Sequence, residues 1–367
     1  MRPRRRRERG IALLLVLWIF MILGVLALDF ARYMRDDAMA AINLADETRG
    51  YYLALAGMNR AIYDAERTRD QGNETATGTD ATGQKTPHGL DTGDQDPVLV
   101  PPDGEWHEGG FAGGRWSVRM TDEGSRIPIN KVDFDVLKPV ITNLVQAHIA
   151  LGRRLGGGMD RRTAGRVDTV VDSILDWRDR GNEVRPHGAE SEYYLKRRVP
   201  YHAKNAFFDS PEELLLVRGV TPELYYGQDG VPGLRDVFSV YGATLNVGTA
   251  TAAVFQALLG IDQAAAEDLV AQRTDGVPIL DLVKAQLNTA GQPTLANLLA
   301  PDATPRIVRI QARADMSETH NRSRVEAVVN LGGGDQNEGT RILRWLDRAP
   351  WEGIPPGAPS TSLGDDT

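Results

Sequence analysis

The most apolar part of the sequence is residues 11–28, where 18 consecutive positions carry no charged side chain. As a helix rising about 1.5 Å per residue, this segment spans roughly 27 Å, close to the thickness of a bilayer core. Residues 2–9 hold six arginines, and the positive-inside rule keeps such a cluster in the cytoplasm. The pattern predicts a single-pass protein of the cell inner membrane, with its N-terminus cytoplasmic and the bulk of the chain periplasmic.

The helical pattern continues beyond the membrane segment without a break. No proline occurs between Ile11 and Arg69, and apolar side chains recur every three, four or seven residues, at Met34, Ala38, Ala41, Ala45, Tyr52, Leu55 and Ile62. This spacing is typical of one face of an amphipathic helix. We therefore expect one helix of about 59 residues, roughly 90 Å long, with residues 11–31 in the membrane and residues 32–69 in the periplasm.

The N-terminus has three interpretations. A cleaved secretory signal peptide also has a basic head and an apolar core, with Val25-Leu26-Ala27 as its cleavage site; an uncleaved signal anchor is the second. The third is a leader, residues 1–10, that is cut on the cytoplasmic side between Gly10 and Ile11. The third is favoured because a secretory signal peptide does not need to continue into a long helix, whereas a filament subunit packs by such a helix.

Strand patterns lie on both sides of the middle of the chain. Polar and apolar side chains alternate in residues 115–122, which predicts a half-buried strand, and Ile127 and Ile129 predict a further short strand. Alternation near the C-terminus predicts a three-stranded antiparallel meander with one apolar face, which the long helix would cover. We place the two sheet regions at residues 111–129 and 305–346.

Two segments have the composition of loops. Residues 70–110 are rich in Gly, Thr, Asp, Gln and Pro and are expected to form a variable loop. Residues 347–367 hold four prolines and few apolar side chains, so a disordered tail is expected there.

Residues 130–304 are predicted to form a helical domain inserted between the two sheet regions. Helical spacing occurs in residues 133–150, 161–180, 211–217 and 249–259. Residues 243–271 have the pattern of a helix-hairpin-helix unit, a structure that often binds DNA phosphates. Its connector, residues 259–263, contains no Lys or Arg, so packing between helices is favoured over DNA binding.

Composition excludes several kinds of chemistry. The net charge is −8 and, once the basic N-terminus is set aside, the remainder carries about −13, which argues against a nucleic-acid partner. The chain has no cysteine, so disulfides, thiolate zinc sites and cysteine nucleophiles are excluded. Its six histidines have no metal-ligand spacing. No nucleophile elbow or phosphate loop is found, and we do not expect an enzyme.

One acidic segment has the composition of a cation site. Its polar side chains lie within fourteen residues of a loop that contains Gly and Pro, at Asp179, Asn182, Glu183, Glu190 and Glu192. Calcium prefers six to eight oxygen ligands from flexible carboxylates and carbonyls. The alternative is an ordinary solvated acidic surface.

Five segments carry a resemblance to a known family. They are residues 9–18, where Leu15 stands in place of the Glu of most pilin-like proteins, and residues 172–179, 185–194, 205–221 and 324–329. Together they resemble the K-type minor pseudopilin of type II secretion systems, also called general secretion pathway protein K. The resemblance covers roughly residues 9–66 and 115–346. Gly181 departs from the family pattern, because a second Asp is expected there.

The resemblance implies an α+β, pilin-like fold, in which a long N-terminal helix lies on a small antiparallel sheet, with a large inserted α-helical domain containing helix-hairpin-helix/SAM-like units. It also implies calcium in the helical domain and a role at the tip of the periplasmic pseudopilus, in its assembly and in protein export. The implied partners are the I- and J-type minor pseudopilins, the major pseudopilin, prepilin peptidase and the inner membrane. Two alternatives remain: a membrane-tethered periplasmic hydrolase that uses the acidic loop, and a pilin-like DNA-uptake component.

Overall fold

The structure is a computed structural model that describes residues 8–77, 100–111, 114–154, 166–300, 305–315, 322–332 and 339–347. Residues 1–7 of the predicted leader, residues 78–99 of the predicted loop and residues 348–367 of the predicted tail lie outside the described residues.

A single helix, α1 (Glu8–Thr77), forms the N-terminal 70 described residues. Residues 13–28 are all exposed, as at Leu15 and Trp18. Helix α1 is the one helix among the described residues that is long and apolar enough to cross a membrane. The unbroken helix predicted from the sequence is thus confirmed, and it extends past Arg69.

The buried face of α1 differs from the predicted one. Met34 and Tyr52 of the predicted stripe are exposed. The face that packs begins at Asp46 and continues through small and apolar side chains, at Gly50, Leu53, Ala54, Gly57, Met58, Ala61 and Ala65. Small residues are needed because the helix lies close to the sheet: a Cβ on Gly57 would stand 2.7 Å from Val118 Cγ2 and 3.0 Å from Trp116 Cδ2.

The described strands are β1 (Trp106–Phe111), β2 (Gly114–Asp122), β3 (Ile127–Pro128), β4 (Phe238–Ser239), β5 (Leu245–Asn246), β6 (Leu299–Ala300), β7 (Ile307–Asp315), β8 (Arg322–Asn330) and β9 (Arg341–Asp347). Five of them form one antiparallel sheet in the order β1-β2-β7-β8-β9. The predicted meander is therefore present as β7, β8 and β9. Strand β1 corrects the sequence analysis, which placed it in the loop of residues 70–110.

The composition of β1 explains why it was missed. Gly109 and Gly110 are typical of a loop, but the indole of Trp116 on the neighbouring strand occupies the place where a Cβ of Gly109 would be. The inner face of the sheet and α1 share one core, which contains Met58, Trp116, Met120, Ile310 and Val325.

The chain between β2 and β7 is mainly helical. Its helices are α2 (Phe134–Arg154), α3 (Arg166–Arg178), α4 (Ser191–Leu195), α5 (Pro222–Tyr226), α6 (Leu234–Val237), α7 (Ala252–Leu259), α8 (Gln263–Thr274), α9 (Ile279–Thr289) and α10 (Pro293–Leu298), with 3-10 turns at Glu123–Ser125 and Pro211–Leu216. Helix α2 packs on α3 and α7. These helices share a second hydrophobic core, separate from the core under α1.

Two short parallel strand pairs hold the helical domain together, β3 with β4 and β5 with β6. The segment predicted as a 211–217 helix is a 3-10 turn, capped by Glu213, whose carboxylate accepts from the Ser210 backbone N–H. The predicted hairpin is present as α7 and α8. Gly260 between them adopts φ 67°, and the carboxylate of Asp262 accepts a hydrogen bond from Ala265 N, which caps α8.

Candidate functional site

The acidic loop that follows α3 is organised around one of its own residues, Arg185. The Nη1 of Arg185 lies 2.5 Å from Asp176 Oδ1 and 2.6 Å from Asp179 Oδ2. Asp176 is fully buried, and burial raises its pKa although Arg185 partly offsets the effect. Gly188 closes the cluster, because a side chain there would collide with the Asp176 carboxylate.

Glu190 completes this cluster, and its position is unusual. The residue is 4% exposed, and neither of its carboxylate oxygens has a hydrogen-bond partner among the described residues. Burial, together with the negative charges of Asp176 and Asp179, raises the pKa of Glu190. A buried acceptor without a donor costs free energy, so the carboxylate of Glu190 destabilises this end of the loop.

The other predicted ligands lie elsewhere. Asn182 Oδ1 accepts from Asn205 Nδ2 at 3.1 Å, Glu183 is exposed, and the exposed Glu192 pairs with Lys196 at 2.6 Å. Of the five predicted residues, only Asp179 and Glu190 come together. In the described ranges no group of three or more His, Asp or Glu side chains is arranged to hold a metal ion.

Asp176 was missed by the sequence analysis as a site residue, although it lies three positions before Asp179 on the same helix face. The aromatic residues near Asp176 pack in the core of the helical domain. Trp177 packs edge-on against Tyr194 with 5.3 Å between ring centroids, and Tyr194 stacks on Tyr201 at 5.1 Å. Much of the segment that resembles the family therefore builds the helical domain around the acidic loop.

A second polar cluster joins the helical domain to the sheet. Arg309 of β7 lies 2.6 Å from Glu123 Oε1 and 2.6 Å from Glu326 Oε1. Ser239 of β4 donates a hydrogen bond to Glu123. Although burial alone would raise the pKa of Glu123, the charges of Arg309 and Arg126 lower it to about 2.

Two further contacts cross the same junction. Asp122 Oδ2 accepts from Thr249 Oγ1 at 2.6 Å and from Asn246 Nδ2 at 3.1 Å, and Arg344 of β9 pairs with Glu212 at 3.3 Å. The helical domain is thus fixed to the end of the sheet that is farther from the apolar half of α1.

Comparison with known proteins gives three similarities. A family model described as type II secretion system (T2SS), protein K matches residues 142–227. A protein of Escherichia coli (strain K12) named "Putative type II secretion system protein K" is 23% identical over 226 residues, and the match spans 59% of this chain and 60% of that protein. The crystal structure of the GspK-GspI-GspJ complex from the enterotoxigenic Escherichia coli type 2 secretion system superimposes with a TM-score of 0.49 and 17% identity, over 67% of this chain and 84% of that chain.

The matched family region runs from α2 to α5 and contains the acidic loop and its aromatic core. The family model and the curated relative are both of type II secretion system protein K, and this similarity agrees with the resemblance found in the sequence.

Proposed function

We propose that this chain is a minor pseudopilin of a type II secretion system, which caps the tip of the periplasmic pseudopilus and takes part in its assembly and in protein export. The observation that carries the proposal is the division of α1. Residues 13–28 are exposed and carry no charged side chain, whereas the part after Asp46 packs on the sheet. Such a helix can leave a membrane and join a filament while the sheet and helical domain remain folded.

The membrane orientation belongs to the same proposal. The arginine-rich start of the chain stays cytoplasmic, the apolar part of α1 crosses the inner membrane once, and the sheet and helical domain stand in the periplasm. Prepilin peptidase would act at the cytoplasmic end of the span. The work of the chain would then be assembly, and no catalytic step is assigned to its side chains.

The partners are proposed from the same role. The structurally similar GspK is in a complex with GspI and GspJ, and we assign I- and J-type minor pseudopilins to this chain as partners, with the major pseudopilin below them. The helical domain would act as a packing module built from helix-hairpin-helix/SAM-like units. Its connector between α7 and α8, Gly260-Ile261-Asp262, has no basic side chain. This composition does not favour binding to nucleic acid.

Processing provides the first test of this function. We expect the mature chain to begin at Ile11, since Gly10 has no side chain and stands between the basic head and the apolar span. Gly10→Lys should block the cut almost completely, and mass spectrometry of the protein recovered from membranes measures the new N-terminus. Gly24→Ala, within the apolar span, is the matched control and should be processed normally. A mature N-terminus at Leu28 would instead indicate that an ordinary secretory signal peptide is removed.

Calcium stays a proposal for the acidic loop. Asp176, Asp179 and Glu190 are the nearest carboxylates there, but they are not arranged around an ion in this structure, so calcium binding would have to draw them together. The donors are the oxygens that calcium prefers, and the unpartnered Glu190 carboxylate supports a cation there. Against it, Arg185 already neutralises Asp176 and Asp179. An ion would have to share these carboxylates with the guanidinium.

The expected result is a lower melting temperature of the full chain when chelator is added, because an ion that binds only the folded state stabilises it. Glu190→Gln should abolish the response to calcium, whereas Glu192→Gln, in the exposed pair with Lys196, should keep it. Thermal unfolding with and without chelator, with elemental analysis, provides the measurement. An unchanged melting temperature together with no bound calcium would mean that Arg185, without a metal ion, balances the negative charges of the loop.

A further inference from the structure

The face of the five-stranded sheet that points away from α1 carries a group of arginines. We define the arginine face as Arg115 and Arg119 on β2 and Arg313 on β7; Arg324 of β8 lies on the same side of the sheet but is buried. Successive side chains of a strand point to opposite faces, and Trp116, Val118 and Met120 face α1, so Arg115 and Arg119 point outward. The strand register then places Arg313 and Arg324 on the same outward face.

An aromatic ring organises two of these arginines. The guanidinium of Arg313 lies 4.1 Å from the centroid of the Trp106 ring, and that of Arg119 lies 5.0 Å from it. Arg119 also donates to Gln311 Oε1 through Nη2 at 2.6 Å and Nε at 3.1 Å. The guanidinium groups are therefore held in place before any partner binds, which reduces the entropy lost on binding.

The charges of the arginine face are balanced only in part within the chain. Arg115 lies directly opposite Asp315, whereas Arg313 lies directly opposite another arginine, Arg324. Elsewhere on the same face, Arg309 is balanced by Glu123 and Glu326. No ion pair within the described ranges involves Arg313. Glu108 and Asp315 share this face, but arginines outnumber carboxylates on it, although the net charge of the whole chain is −8.

The position of the face selects its partner. The sheet begins to contact α1 near Glu47, whose carbonyl oxygen accepts from Ser323 Oγ. That point is 18 residues beyond Asp29, or about 27 Å along the helix. Charges interact with a lipid surface only within about 8 Å at physiological salt, so lipid headgroups are out of reach. The acidic chain as a whole disfavours nucleic acid.

We propose that the arginine face is a docking surface for a carboxylate-rich surface of a neighbouring pseudopilin subunit. The inference rests on the proposed function, because it assumes that the chain works beside other pilin-like subunits. Arginine pairs with carboxylates through two parallel hydrogen bonds, and the Trp106 ring adds apolar area between the charges. Complementary charge of this kind sets partner choice and register.

The test uses the full chain produced with the I- and J-type pseudopilins of the same cells and recovered from membranes in mild detergent. The variant Arg115→Glu/Arg313→Glu reverses two charges of the arginine face. It should recover at least about ten-fold less of the I- and J-type subunits than the wild type, and wild-type recovery should fall as salt is raised. The matched control is Arg180→Glu/Arg198→Glu, which makes the same charge change at exposed positions of the helical domain and should recover the wild-type amount.

The outcomes separate the inference from the function on which it rests. Wild-type recovery by Arg115→Glu/Arg313→Glu, or equal losses in both double variants, overturns the arginine face and leaves the proposed function standing. A wild-type chain that recovers neither subunit overturns the proposed partners, and the inference with them. If the charge reversal lowers the melting temperature, Arg115→Gln/Arg313→Gln is measured instead. It removes the charges without reversing them, and it should still recover about three-fold less.

Discussion

Replacing Arg309 with methionine is expected to lower the free energy of unfolding by about 3–5 kcal/mol, because it removes one partner of a buried ionic cluster. Glu123 is 1% exposed and Arg309 is 9% exposed. Without the guanidinium, the carboxylates of Glu123 and Glu326 lose their shared cation in a site from which water is largely excluded. The helical domain is joined to the sheet through this cluster, so we expect its junction to loosen first.

Urea unfolding of the purified full chain in detergent measures this loss. The matched control is Arg313→Met on the same strand, which removes an arginine that stacks on Trp106 but has no buried carboxylate to balance. It should cost less than about 1 kcal/mol. Equal losses in the two variants would contradict the role assigned to the Arg309 cluster.

The free energy of unfolding should also depend on pH, in a direction that follows from the pKa of Glu123. The pKa of Glu123 is lowered from 4.5 to about 2, so its ionised form contributes stability above pH 4.5, and this contribution is lost as the pH falls towards 2. In Arg309→Met, burial without the guanidinium should raise that pKa instead. The difference between wild type and variant should therefore be largest at neutral pH and should shrink on acidification.

The main helix and most strands of this fold could be predicted from the sequence because they depend on strong local patterns. The uninterrupted apolar and helical periodicity of residues 11–69 predicted α1, and alternation predicted β2 and the meander of β7, β8 and β9. Strand β1 could not be predicted, because Gly109 is favourable only once Trp116 covers it. The prediction of the packed face of α1 was wrong for a related reason: closeness to the sheet selects Gly57 over a larger apolar side chain.

The polar sites were less predictable because they join residues that are distant in sequence. Arg309 meets Glu123 across 186 positions, and no local pattern indicates such a pair. The acidic loop was recognised by composition, but composition cannot show that Arg185 points inward or that Glu192 pairs with Lys196 at the surface. Several of the segments that resemble the family, residues 172–179, 185–194 and 205–221, contribute side chains to one packed core.

The second large expected effect concerns the number and position of this chain in a pseudopilus. In a pilin-like filament, a Glu within the membrane segment of one subunit can pair with the free amine of the subunit ahead of it, and an unpaired carboxylate in lipid costs at least about 2.5 kcal/mol. Leu15 gives this chain no such group. A subunit that lacks this Glu cannot form the pair inside the filament. At the leading end no subunit lies ahead of it, so no pairing is lost there.

The helical domain points to the same position. It occupies the chain between β2 and β7 and is fixed to the end of the sheet away from the membrane segment. Repeated at every subunit of a thin filament it would crowd its neighbours, whereas one copy at the tip meets no subunit ahead. Leu15→Glu alone should therefore leave the chain a minor subunit, because the helical domain remains.

The most direct test of the central claim is gold labelling of assembled pseudopili that contain a tagged copy of this chain. Pseudopili are collected from cells that overproduce the major pseudopilin, and the gold particles on each filament are counted and located by electron microscopy. We predict one particle per labelled filament, at one end, for both the wild type and Leu15→Glu. Particles repeated along the shaft, or filaments that never carry the label, would contradict the claim that this chain is a minor pseudopilin at the tip.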